Sequence, residues 1–169
     1  MNLNTSEYNA FYQVYIDKTN KELSIIEGLK QQLDAVVLFY LSIAEEKHNY
    51  AYAEGKWSVK DVLLHIIDTE RILAYRAMRI ARQDKTPLVG FEQDDYVQHG
   101  FAKKRSMESL IEEYKSVRFA TITLFASLNA DALFSIGEAS GFPISVRALG
   151  YIILGHEQHH NLIIKARYL

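Results

Sequence analysis

His156 and His160 stand four residues apart in the run His156-Glu157-Gln158-His159-His160, close to Leu169 and among apolar neighbours. On an α-helix this spacing puts both imidazoles on one face, one turn apart. Two neutral imidazoles so placed can ligate one transition-metal ion. The five residues also spell H-E-x-x-H, the zinc-peptidase pattern, in which the glutamate activates water and a third ligand follows downstream. Here the segment Asn161 to Leu169 contains no acid. Ile163 and Ala166 stand where the metzincin continuation requires glycine and histidine. No sheet pattern is evident that would hold an extended peptide. The spacing therefore argues for metal without peptidase chemistry, and Glu157 is either a flanking residue or a carboxylate that orients a ligand.

Leu149, Ile153, His156, His160, Ile163 and Arg167 recur at steps of four and three, which puts the two histidines on a core-facing seam. An imidazole buried without a partner costs about 1–3 kcal/mol, so two neighbours on one seam need a shared explanation. A catalytic metal site usually takes three protein ligands and keeps one position open. His65, within Leu64-His65-Ile66-Ile67, is the best third candidate. His48, His99 and His159 fit less well, at a polar helix end, in a loop and one position off the seam. A single buried histidine is more often a hydrogen-bonded core residue than a ligand; the combination of three carries the metal reading. Asp68, one turn after His65, either orients that imidazole or belongs with Glu70 and Arg71 to a charge cluster. Gly150 and Gly155 either allow close helix packing or leave room above the ion. No catalytic residue is assigned; Tyr96, His99 or an acid from the segment before Arg105 are the candidates for proton transfer.

Four amphipathic helices must position these residues. The first is expected from the capping-box pattern Thr19-Asn20-Lys21-Glu22 and carries Ile26, Leu29, Leu33, Val36, Tyr40 and Ala44. The second opens at Ser58-Val59-Lys60-Asp61 and runs to about Arg82. It is apolar around most of its circumference, which fits either a thick core or a subunit interface. The third starts near Ser106, and the fourth runs from near Ser145 almost to Leu169. With no convincing strand pattern, the chain is all-α, a four-helix bundle over residues 1–169. Residues 1–19 form an arm or a short helix. Asp84 to Arg105 is a long loop between the second and third helices, which either crosses over or folds across an end.

Composition narrows the function further. The 169 residues suit one domain, and a formal charge of −2 offers no general attraction to nucleic acid. The chain has no cysteine, which excludes disulfides, thiolate metal sites and a cysteine nucleophile. No run is apolar enough to span a membrane, and Met1 to Glu7 lacks the features of a signal peptide, so a cytoplasmic location is expected.

Three blocks carry a resemblance to a known family. They are Gly55-Lys56-Trp57-Ser58 through Leu64-His65 to Asp68-Thr69-Glu70-Arg71, then Asp84 to Phe91 with Asp95-Tyr96-Val97, then Ser145 to Leu149 with Gly155 to His160. Together they resemble the DinB family of DinB/YfiT-like metalloenzymes from about residue 20 onward. The resemblance implies a four-helix bundle, commonly a homodimer. It also implies a divalent ion, zinc or nickel, held by His65, His156 and His160. Some relatives are S-transferases or isomerases that use low-molecular-weight thiols of the bacillithiol or mycothiol type, and others are described as hydrolases. A small-molecule substrate, an external thiol and a metal-dependent transfer are thus expected, with hydrolysis or a non-enzymatic stress-associated metal protein as alternatives.

Overall fold

Each long helix begins at a serine. Ser24, Ser58, Ser106 and Ser145 lie in extended backbone, and each side chain accepts a hydrogen bond from the amide three residues on. One of the amides that a first helical turn leaves unpaired is thereby satisfied. In the computed structural model, which describes residues 3–169, the elements are α1 (Gln13–Ile16), α2 (Ile25–Leu41), α3 (Val59–Ala81), α4 (Gln93–Gly100), α5 (Met107–Ala126), α6 (Ala130–Phe134), β1 (Ile136–Ala139), β2 (Phe142–Ser145) and α7 (Val146–Arg167). Met1 and Asn2, the first positions of the expected domain, lie outside the described residues.

The first long helix starts later than expected. Ser24 and Glu27, not Thr19 and Glu22, form its capping box. The Thr19 hydroxyl instead donates to the Ile16 carbonyl and closes the short α1. Both quartets have the right chemistry, but only the second leads directly into apolar residues that can pack.

The packing of α2, α3, α5 and α7 is not a simple up-and-down succession. Helix α3 packs on α5 and α7, and so does α2. Met107, Leu110 and Tyr114 at the start of α5 share a core with Val59, Val62 and Leu63 at the start of α3. Phe125, near the end of α5, packs instead with Leu73, Ala77 and Ile80 near the end of α3. The two helices are therefore parallel neighbours. Chain leaving α3 at one end must return the full length of the bundle before α5 begins, so residues 84–105 form a crossover. They are not a bare loop: α4 and a 3-10 turn at Ala102–Lys104 pack back along α3. The apolar circumference of α3 is consumed in this way, with Val62, Leu63, Ile66, Ile67, Leu73 and Ala77 all buried inside the bundle. A thick core accounts for it.

Two further pieces close one end. β1 and β2 form an antiparallel hairpin, with Ser140 and Gly141 at φ 54° and 80° in its turn. Consecutive positive φ values match the strand twist of a tight two-residue turn. These four-residue strands were too short to stand out as an alternating pattern. Leu88 of the crossover pairs with the hairpin: its amide donates to the Glu138 carbonyl, and the Ser140 amide donates to the Leu88 carbonyl. The N-terminal arm is a pair of 3-10 turns followed by α1, docked on α7. It is clamped at Glu7, whose carboxylate accepts from Ser145 Oγ at 2.8 Å and from Arg147. Its other anchor is Gly155, where a Cβ would stand 1.9 Å from the Tyr15 carbonyl oxygen. Only glycine lets the arm approach that closely. The packing explanation of Gly155 is the correct one, and Gly150 likewise faces Ile25 and Phe125.

Candidate metal centre

A polar belt separates the two apolar cores, and α3 and α7 cross it as antiparallel neighbours. His65 projects into it from α3, and His156 and His160 from α7. His156 Nε2 lies 3.0 Å from His65 Nε2 and 3.1 Å from His160 Nε2. All three donor atoms fall within 4.8 Å of one another. Ring centroids are 4.5–4.9 Å apart. Nitrogen ligands of a tetrahedral ion with bonds of about 2.0–2.1 Å stand roughly 3.3 Å apart. The donor set and its spacing thus fit a divalent metal ion.

Burial gives these imidazoles the protonation state that ligation needs. It lowers His65 to about 4, lowers His160 to about 3 and pushes His156 well below the ordinary histidine value. At neutral pH all three are unprotonated, with a lone pair on each ring. The seam itself runs slightly off its expected line. Leu149, Ile153, Glu157, Asn161 and Ile164 are its buried positions, while Ile163 is half-buried and Arg167 exposed. A straight helix drifts relative to a 3.5-residue repeat, so the centre of the stripe moves on by one position. His156 and His160 consequently occupy its flank facing α3.

Glu157 occupies the centre and does other work. Its carboxylate accepts from Arg118 Nη2 at 2.6 Å and from Tyr114 Oη at 2.7 Å. Arg118 also donates to Glu70, through Nε at 2.9 Å and Nη2 at 2.8 Å. Neither expected role for Glu157, flank residue or carboxylate orienting a ligand, is what the structure shows. Asp68 does not orient His65 either; it pairs with Arg71, which reaches on to Glu113. The expected charge cluster of Asp68, Glu70 and Arg71 is divided: Arg71 pairs with Asp68 and Glu113, and Glu70 pairs with Arg118. Among the described residues no fourth histidine, aspartate or glutamate joins the three imidazoles. His159 packs edge-on against Tyr15, His48 hydrogen-bonds the Ile43 carbonyl, and His99 the Asp95 carbonyl.

One side of the cluster is walled and the other opens. Trp57 lies with its ring centroid 4.7 Å from that of His65, and Tyr15 stands edge-on to His156 at 5.2 Å. A cavity of about 400 Å³ adjoins His65 and His156. The arm contributes Tyr12 and Tyr15 to it, the crossover Phe91 and Glu92, and the hairpin Ser140 and Phe142. Tyr96 and His99, expected as proton-transfer candidates, instead sit in exposed α4 beside Asp68 and line a different depression. The crossover does reach the site, but through its first half. Tyr15 carried no signal in the sequence. Trp57 did, as the sole tryptophan, just before the serine cap of α3.

Residues 29–164 match the DinB superfamily, and the chain belongs to it. No curated protein matches it. Among solved structures it is similar to YfiT from Bacillus subtilis, with a TM-score of 0.72 and 12% identity over 98% of this chain and 90% of that one. YfiT is described as a probable metal-dependent hydrolase with an unusual four-helix bundle topology.

Proposed function

We propose that this DinB-superfamily protein is a metal-dependent enzyme in which His65, His156 and His160 hold a divalent ion, zinc or nickel, beside a substrate pocket. The observation that carries the reading is three neutral imidazole nitrogens converging from two helices next to a cavity of about 400 Å³. Such an ion would supply Lewis acidity, lowering the pKa of a thiol or water on its open side to near or below neutrality. The protein's part is positioning. Helices α3 and α7 fix the three rings, Trp57 and Tyr15 shield them, and the aromatic arm and hairpin enclose the substrate.

Transfer of an external low-molecular-weight thiol onto an electrophilic small molecule is the first reading. Activation of water gains from a base beside the nucleophile, and one oxygen of the adjacent carboxylate, Glu157 Oε2, is already engaged by Arg118 and Tyr114. A thiol, more acidic than water, needs less help. Hydrolysis is the second reading. It is favoured by the likeness to YfiT and by Glu92, a carboxylate that lines the cavity. A homodimer, on the family resemblance, and a cytoplasmic location also belong to the proposal. No described helix is long and apolar enough to cross a membrane.

The test of the site uses Trp57, 4.7 Å from His65, as reporter. Titration with nickel should quench its fluorescence in the wild-type protein and fail to do so in His65→Ala, His156→Ala and His160→Ala. Unchanged metal content in all three variants would remove the site. Parallel screens, one with bacillithiol and electrophiles and one with esters and amides, then separate the two reactions.

A further inference from the structure

Arg76 lies on the face of α3 that carries His65 and Thr69, and all three line the same cavity. It is 3% exposed, yet no carboxylate is within ion-pair distance of it among the described residues. Arg118, equally buried, shows what this bundle does with an arginine it keeps for itself: two glutamates compensate its charge. The Arg76 hydrogen bonds are made by Nη2 alone, to the Val89 carbonyl at 2.7 Å and to Ser140 Oγ at 3.2 Å. Both partners are neutral. A guanidinium has five donors, so the donors on Nε and Nη1 have no partner within the protein, and neither nitrogen is sealed from solvent. A buried charge compensated only by neutral oxygens is costly to maintain. Thr69, between Arg76 and His65, adds a buried hydroxyl with no hydrogen-bond partner. The rest of the lining sets five aromatic rings, Phe11, Tyr12, Tyr15, Phe91 and Phe142, among aliphatic and polar side chains.

We propose that Arg76 anchors a carboxylate at the far end of the substrate, whose reacting end lies at the three histidines. One guanidinium matches one negative charge. A phosphate dianion would carry a second charge that nothing in the cavity compensates, with the Glu92 carboxylate also in its lining. Eleven residues separate His65 from Arg76, about 16 Å along the helix axis. A substrate bridging them is an elongated, largely apolar or aromatic monocarboxylate, with roughly 10–15 Å between its charged and reacting ends. What happens at the reacting end rests on the metalloenzyme reading above; the anion site does not.

The probes are biphenyl-4-carboxylate and its uncharged isostere biphenyl-4-carboxamide, titrated calorimetrically into the full chain near pH 7.5. The acid should bind at least about tenfold more tightly than the amide, as expected for a charge-assisted hydrogen bond lost in the isostere. Arg76→Gln should bring the two within about twofold. Ser140→Ala, which removes a neutral partner and no charge, should keep the preference. Wild-type protein stripped of metal with EDTA should keep it too, so loss of the metal site and loss of the anion site are read separately. Because Arg76 also ties the crossover to the hairpin, a second measurement uses the wild-type protein alone. Its Arg76 Nε resonance should shift with the acid and not with the amide. Equal affinities, no binding of either probe, a preference that survives Arg76→Gln, or an Nε resonance that the acid leaves in place would overturn the proposal.

Discussion

His156 and Glu157 are consecutive residues of α7, yet they serve two different buried clusters in the same belt of the bundle. Glu157 joins Glu70 and Tyr114 around Arg118, a group that carries its own cation and leaves that cation's charge compensated. His156 joins His65 and His160, a group made only of lone-pair donors. A rotation of about 100° between successive helical residues separates a network that holds the fold from one suited to bind something. The H-E-x-x-H spelling is thereby split, with its histidines on one cluster and its glutamate on the other. The glutamate serves through its Oε2 as a counter-ion to Arg118.

If that division is right, the two clusters should respond to substitution in opposite ways. Arg118→Met leaves two glutamates buried without their cation, and a loss of about 3–5 kcal/mol is expected in urea unfolding. A loss below about 1 kcal/mol would show that the ion cluster is not the fold's requirement. For the histidines the effect should appear only with metal. Zinc at a hundredfold its dissociation constant should stabilise the wild-type protein by about 2.7 kcal/mol. His156→Ala should abolish that increment while shifting metal-free stability by less than about 1 kcal/mol.

Two further effects sharpen the contrast by loosening the arm, which packs on the histidine-bearing α7. Gly155→Ala puts a methyl 1.9 Å from the Tyr15 carbonyl oxygen and must lift α1. It should cost up to about 3 kcal/mol and weaken nickel quenching of Trp57, with Arg118→Met adding to it independently. The smallest effect is reached with acid. The Arg147 guanidinium holds the Glu7 carboxyl down to about 2, below its ordinary 4.5. Because the folded value is the lower one, the unfolded chain takes up the proton first, and the stabilisation is complete above about pH 4.5 and lost as pH falls toward 2. With the pair partly solvated, about 2 kcal/mol is expected. Glu7→Gln should flatten stability over that window; a slope unchanged by the substitution would show that the clamp is not what titrates.

The candidate site was more legible in the sequence than its setting. His65, His156 and His160 stood out because imidazoles replaced aliphatic residues at helical spacing in apolar runs, and that signal is local. Arg76, eleven residues after His65 on one helix face, did not stand out, because a single arginine in a helix suggests a surface position until burial is known. Tyr15 was not legible, because its place beside His156 depends on a glycine 140 positions away. The hairpin strands, at four residues each, were too short to show a period.

Serine caps and apolar periodicity settled where the long helices α3, α5 and α7 begin, and roughly which face each would bury. These follow from interactions within three or four residues, so the order of the amino acids is enough. Which helices became neighbours, that α3 and α5 run parallel, that residues 84–105 must therefore span the bundle, and that Glu157 faces Arg118 while His156 faces His65 were decided only in three dimensions. They depend on contacts between residues tens to more than a hundred positions apart, where the energy belongs to the packed pair and neither residue alone carries the information.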